Sequence, residues 1–78
     1  MIVYLNRVAY QICGHGLTQM KRRGITKRDI QSCLDDHQVS FTPKEGYSLY
    51  IADHPKGKRL QVIVNSETKE VVSVVWLD

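Results

Sequence analysis

The spacing of hydrophobic residues changes near His37 from a helical period to a strict alternation. Over residues 14–23 and 27–36 apolar side chains recur three to four positions apart, which is typical of amphipathic helices. After His37 they alternate with polar side chains in four runs separated by turns at residues 43–46, 54–57 and 65–70. This half of the chain therefore predicts four antiparallel strands joined as a meander.

The ends of both helices are marked by residues suited to capping. Gly24 can adopt the left-handed conformation that closes the first helix. Thr26 is a good N-cap for the second helix, and Asp29 three positions later completes a capping-box pattern. Ile25 and Ile30 have the spacing of a hydrophobic staple across this N-terminus. The two helices are therefore expected to meet across a short hinge at residues 24–26.

The segment before the first helix is ambiguous. Residues 8–12 alternate as a strand does, but a helical turn over residues 5–9 fits as well. Taken together, the pattern predicts an α+β fold in which two N-terminal helices pack on one face of a four-stranded antiparallel meander sheet. A chain of 78 residues forms one domain, residues 1–78.

The first helix divides into two faces. Its apolar side consists of Cys13, Leu17, Met20 and Gly24. The opposite side, expected to face solvent, carries His15, Gln19 and Arg22, with Arg23 at its flank.

The positive charge is concentrated in one short segment. The net charge is only +3, yet five cations fall between Lys21 and Arg28. Such a cluster is typical of a phosphate-binding surface, although exposed helix ends also collect lysine and arginine. The nucleic-acid-binding candidates are Lys21, Arg22, Arg23, Lys27, Arg28 and Arg59.

The composition indicates a cytoplasmic protein. No apolar run approaches the roughly 18 residues that cross a membrane, and the apolar start over residues 1–5 is too short for a signal peptide. Two cysteines do not make a disulfide framework, so reduced thiols are expected.

Few residues could carry chemistry. Cys33 and His37 are four positions apart, but Cys33 lies on an apolar stripe where a free cysteine is a normal core residue, so no metal or cofactor is predicted. Cys13 lacks a recognisable catalytic pattern. Metal-free RNA cleavage remains: His15 can transfer protons near neutral pH while Arg22 or Arg23 holds a phosphate. The alternative is that His15 packs locally and the arginines are solvated.

Residues 15–26 resemble the opening motif of a family of small uncharacterised bacterial domains, His-Ala-Leu-x-Arg-Met-x-x-Arg-Gly-Ile-Ser/Thr. In this chain the motif reads His15-Gly16-Leu17-x-Gln19-Met20-x-x-Arg23-Gly24-Ile25-Thr26. That family is placed with the barnase, colicin and RelE-like ribonuclease fold, which includes toxins of toxin–antitoxin pairs. The resemblance implies His15, Arg23 and Ser73 as catalytic residues. Gln19 replaces a frequent arginine, and Gly16 replaces a small alanine.

Two kinds of function follow from these observations. The first is a toxin-like, metal-independent endoribonuclease that acts on RNA, with an antitoxin as its protein partner. The second is a non-catalytic module that binds nucleic acid or protein on the same fold, such as an inhibitor from a mobile element. The sequence leaves open whether the chain forms a homodimer.

Overall fold

The computed structural model describes residues 1–77, which form six strands and two helices. The elements are, in chain order, β1 (Ile2–Leu5), β2 (Val8–Ile12), α1 (Gly14–Arg23), α2 (Lys27–Asp36), β3 (Val39–Phe41), β4 (Tyr47–Asp53), β5 (Arg59–Asn65) and β6 (Glu70–Leu77). The four strands predicted after His37 are β3 to β6, and they pair antiparallel in sequence order.

The predicted layout of the fold is nevertheless wrong. The sheet has six strands in the order β1-β2-β6-β5-β4-β3, and it is mixed because β2 runs parallel to β6. The two helices lie between β2 and β3 in the chain and do not precede all the strands. The four-stranded antiparallel meander is thus only part of the sheet, and an N-terminal hairpin completes it.

The hairpin was missed because its turn has a weak sequence signal. Asn6 and Arg7 link β1 to β2, and both have positive φ angles, of 52° and 68°. A two-residue turn of this kind suits the twist of antiparallel strands and is usually marked by glycine. Asparagine tolerates the left-handed region, but arginine in the second position gives no such indication.

Both helices pack on the same face of the sheet. The side chains of alternate strand positions, such as Val62 in β5 and Val74 in β6, are fully buried beneath them. The opposite face carries the other alternate positions, and at its edge Val39 and Phe41 are exposed. The core is therefore one layer between helices and sheet.

The predicted helix boundaries and caps are confirmed. Gly24 ends α1 with a φ of 64°, and Thr26 and Asp29 form a reciprocal capping box at the start of α2. Ile25 and Ile30, the two residues of the predicted staple, are buried. Neither helix within residues 1–77 has the length and apolar character needed to span a membrane.

The predicted faces of α1 are partly wrong. Gln19, which was placed on the solvent side, is only 8% exposed, whereas Leu17 from the apolar side is 39% exposed. Gly16 faces inward too, and a Cβ atom added to it would lie 3.1 Å from the carbonyl oxygen of Val71. Helix α1 therefore approaches β6 closely through a glycine and a glutamine.

Candidate functional site

The polar side of α1 lies along a free edge of β6. Strand β2 pairs with β6 at Gln11 and Ile12, after which the chain turns into α1. Further along β6, the backbone N–H of Val74 donates to Gln19 Oε1 at 2.8 Å, and Arg23 Nη1 donates to the Val74 carbonyl at 2.7 Å. These two side chains take the place of the peptide groups of a neighbouring strand, since a buried backbone group needs a partner.

Gln19 also connects His15 with Ser73. Its Oε1 faces Val74, so its amide nitrogen is the atom 2.6 Å from His15 Nε2. An amide NH₂ can only donate, so His15 Nε2 accepts and the ring proton lies on Nδ1 in this arrangement. The Ser73 hydroxyl donates to Gln19 Oε1 at 3.4 Å. Two of the three residues that the resemblance implied, His15 and Ser73, thus belong to one hydrogen-bond network.

The third residue, Arg23, points elsewhere. Its guanidinium contacts the backbone of Val74, and its own carbonyl accepts a 2.7 Å hydrogen bond from Trp76 Nε1. Arg22 is exposed. The structure therefore gives Arg23 a role in holding α1 against β6, while Arg22 remains available to a ligand.

Two cation-rich segments of the chain both contact Trp76. The hinge between α1 and α2 lies on one side of this residue, through its contact with Arg23, and the β4–β5 turn lies on the other, through His54 and Lys58. We call the exposed cations of these two segments the basic surface: Lys21, Arg22, Arg23, Lys27, Arg28, Lys56, Lys58 and Arg59. It includes every predicted nucleic-acid-binding residue and adds Lys56 and Lys58.

A histidine–carboxylate hydrogen bond joins the two segments of the basic surface. His54 Nε2 donates to Asp29 Oδ1 at 2.7 Å, while His54 Nδ1 accepts from the backbone N–H of Lys56. Burial raises the pKa of Asp29, but hydrogen bonds from Thr26 and His54, together with the charge of His54, bring it below its ordinary value. The carboxylate is therefore ionised at neutral pH, and it joins the start of α2 to the β4–β5 turn.

Most acidic side chains lie away from the basic surface. Of the acidic residues in the described part of the chain, Asp29 is paired with His54, and Asp53 lies opposite Arg59 on the neighbouring strand. The other five are at the end of α2 or in and beside turns remote from Trp76: Asp35, Asp36, Glu45, Glu67 and Glu70. Among residues 1–77, the excess of positive charge therefore lies in the two segments that contact Trp76.

The cysteines take structural positions. Cys33 is buried, its thiol donates to the Leu60 carbonyl at 3.4 Å, and burial raises its pKa to about 11, so it stays protonated. This confirms the core interpretation of Cys33. Cys13 caps α1, with its Sγ accepting from the Gly16 N–H. Across residues 1–77, no three His, Cys, Asp or Glu side chains lie together as a set of metal ligands.

The contacts that join the two segments of the basic surface could not be found from spacing. His54 meets Asp29, 25 positions earlier, and Trp76 meets Arg23, 53 positions earlier. The only local signal was the density of cations in the β4–β5 turn, where Lys56, Lys58 and Arg59 occur within four residues. Comparison of the chain with protein-family models, curated proteins and solved structures finds no match, so the family resemblance stays a prediction.

Proposed function

We propose that this protein binds RNA through the basic surface. The observation that carries the proposal is that eight of the eleven lysine and arginine residues, all exposed, lie in two segments that both contact Trp76. They come from two segments separated by some 25 residues in the chain, and the fold brings them together.

The chemistry of the surface favours nucleic acid over other anionic partners. Arg22, Arg28 and Arg59 are exposed guanidinium groups, which bind phosphate oxygens through two parallel hydrogen bonds. An aromatic side chain among cations is a common feature of RNA-binding surfaces. Two carboxylates lie in these segments: Asp29 is hydrogen-bonded to His54, and Asp53 lies opposite Arg59 on the neighbouring strand. Eight cations outnumber them, so the segments remain attractive to a polyanion.

The proposal is tested by binding of a fluorescent single-stranded RNA across a range of salt concentrations. Because each phosphate contact releases counterions, the triple variant Lys21→Gln, Arg22→Gln and Arg28→Gln should weaken binding and reduce the salt slope by about 2. Arg23 is left unchanged since it holds β6. The matched control removes three cations outside the basic surface: Arg7→Gln, Lys44→Gln and Lys69→Gln.

The two triple variants carry the same net charge, so a difference in their RNA affinity reports only where the removed cations lie. Equal losses in both would mean that RNA responds only to overall charge and would contradict a defined surface. Absence of salt-dependent binding in the wild type would remove the proposal.

A second candidate function is metal-independent RNA cleavage at His15. The observation that favours it is the network that joins His15 to Ser73 through Gln19, with the exposed Arg22 on the same helix. In such cleavage the 2′-oxygen loses a proton and attacks phosphorus, and the 5′-oxygen leaves with a proton. When the substrate displaces the Gln19 amide, neutral His15 can take the 2′-hydroxyl proton on Nε2, and the imidazolium then gives Nδ1–H to the leaving 5′-oxygen and returns to the neutral ring. Arg22 would stabilise the charge on phosphorus.

Cleavage is tested with RNA in the presence of a chelator. His15→Ala should abolish cleavage, while the control His37→Ala, which removes a ring that contacts Tyr50 and the Leu34 carbonyl, should retain it. Activity that survives His15→Ala would exclude this mechanism and leave RNA binding untouched.

A further inference from the structure

Trp76 contacts both segments of the basic surface and has a fixed orientation. Its indole is half-buried against the core, and its Nε1 donates to the Arg23 carbonyl at 2.7 Å. That hydrogen bond satisfies the polar edge of the ring and ties it to the end of α1. The ring is therefore a rigid platform.

The neighbours of the ring indicate which side a ligand can reach. The imidazole of His54 packs against it at 4.9 Å between ring centroids and at 76° between ring planes, and Asp29 holds His54 in place. Lys58 Nζ lies over the ring, 5.9 Å from its centroid. Lys58 is an exposed, flexible side chain, so the indole face beneath it is closed by a group that can move away at small cost.

Exposed cations lie next to this face in both segments. Arg22 neighbours Arg23, whose carbonyl holds the indole, and Lys58 lies over the ring. A nucleic-acid strand whose base covers Trp76 would place its neighbouring phosphates towards Arg22 and Lys58. Lys58, displaced from the ring by the base, would exchange a cation–π contact for a phosphate.

We propose that Trp76 stacks against an unpaired base and that the RNA bound is therefore single-stranded. This inference rests on the proposed function and specifies its ligand. The bases of a duplex are stacked on one another and cannot cover the indole, whereas any unpaired base has a free π face. Stacking on one aromatic side chain raises affinity by about tenfold to a hundredfold.

The chain provides its own probe, because Trp76 is its one tryptophan. Titration of the wild-type protein with single-stranded RNA should quench the indole fluorescence along the binding curve. Inorganic polyphosphate, which offers phosphates without bases, should bind the basic surface and leave the fluorescence nearly unchanged. An RNA duplex of the same length should bind at least about tenfold more weakly than the single strand.

Substitution of Trp76 provides a second test of stacking. Trp76→Leu should weaken single-stranded RNA binding about tenfold or more while polyphosphate binding changes less than about twofold. Trp76→Phe keeps an aromatic face and should recover most of the lost affinity. Circular dichroism and thermal unfolding show whether both variants are folded, so that weaker binding can be assigned to lost stacking. The fluorescence titration uses the wild-type protein and depends on no substitution.

Three results would contradict base stacking on Trp76. Binding of single-stranded RNA without quenching, equal quenching by polyphosphate, or equal affinity for the duplex would overturn the stacking inference and leave RNA binding in place. A protein that binds polyphosphate but neither form of RNA would overturn both proposals.

Discussion

Helices α1 and α2 are equal in length and follow one another across a three-residue hinge, yet they are used differently. Helix α2 buries Ile30, Cys33 and Leu34, as its apolar stripe predicts. Helix α1 buries Gly16, Gln19 and Met20 and leaves Leu17 exposed.

The difference follows from what each helix contacts. Helix α2 covers the face of the sheet, where apolar side chains require an apolar partner. Helix α1 closes an edge of β6, where backbone N–H and C=O groups require hydrogen bonds. A polar side of a helix is therefore not always a solvent side, and the residues that resembled a catalytic motif partly serve this edge.

The largest expected loss of stability comes from a substitution in α2, the helix that covers the face of the sheet. Ile30 is fully buried, so Ile30→Ala should lower the free energy of unfolding by about 2–5 kcal/mol through lost burial and a cavity. Leu17→Ala is the matched control on α1 and should cost less than about 1 kcal/mol because Leu17 is partly solvated. Denaturant unfolding followed by circular dichroism measures both. Equal losses would show that α1 also packs through its apolar side.

The role of Gln19 at the edge of β6 is tested by comparison with Gln31. Both side chains hydrogen-bond the backbone of a strand, but Gln19 does so in a buried position and Gln31 at an exposed edge. Gln19→Leu leaves the buried Val74 N–H without an acceptor and should cost about 1–3 kcal/mol. Gln31 in α2 bonds both backbone groups of Tyr4 at the exposed edge of β1, where water can replace it. Gln31→Leu should therefore cost clearly less. A smaller loss for Gln19→Leu than for Gln31→Leu would contradict the proposed burial effect.

These contrasts explain how much of the fold the sequence could predict. The caps, the hinge and the boundaries of both helices were predicted because they depend on neighbours within four residues. The edge of β6 depends on contacts between residues about 55 positions apart, such as Gln19 with Val74, and no local period carries them. The N-terminal hairpin depended on a turn whose residues are not the usual ones.

The candidate site divides in the same way. The cations from Lys21 to Arg28 are adjacent in the chain, so their density alone indicated a phosphate-binding surface. Trp76 and Lys58 join that surface only through the fold, and neither spacing nor composition singles them out. The resemblance implies His15 and Ser73 separately, and it gives no role to Gln19, which joins them, because the family often has an arginine there.

The close approach of α1 to β6 predicts a contrast between two glycines. A Cβ atom at Gly16 would lie 3.1 Å from both the Val71 carbonyl and the Ile12 side chain, whereas Gly14 has open space. Gly16→Ala should lower stability by roughly 1–2 kcal/mol, since the strain exceeds the gain in helix propensity. Gly14→Ala should be neutral or stabilising by up to about 1 kcal/mol. Thermal unfolding compares them, and stabilisation by both would mean that the edge tolerates a wider separation.

The smallest expected effect concerns how the two helices begin. The pKa of Asp29 is below its ordinary value in the folded protein, so its ionised form stabilises the fold above that ordinary value, and this contribution is lost as pH falls through the lowered pKa. The difference in unfolding free energy between wild type and Asp29→Asn should therefore be full at neutral pH and shrink in acid. Cys13→Ser changes the cap of α1 without a carboxylate, so its effect should stay constant over the same acidic range. Denaturant unfolding in a series of buffers measures both differences. Parallel curves for the two variants would show that the ionised Asp29 carboxylate, bonded to Thr26 and His54, does not stabilise the start of α2.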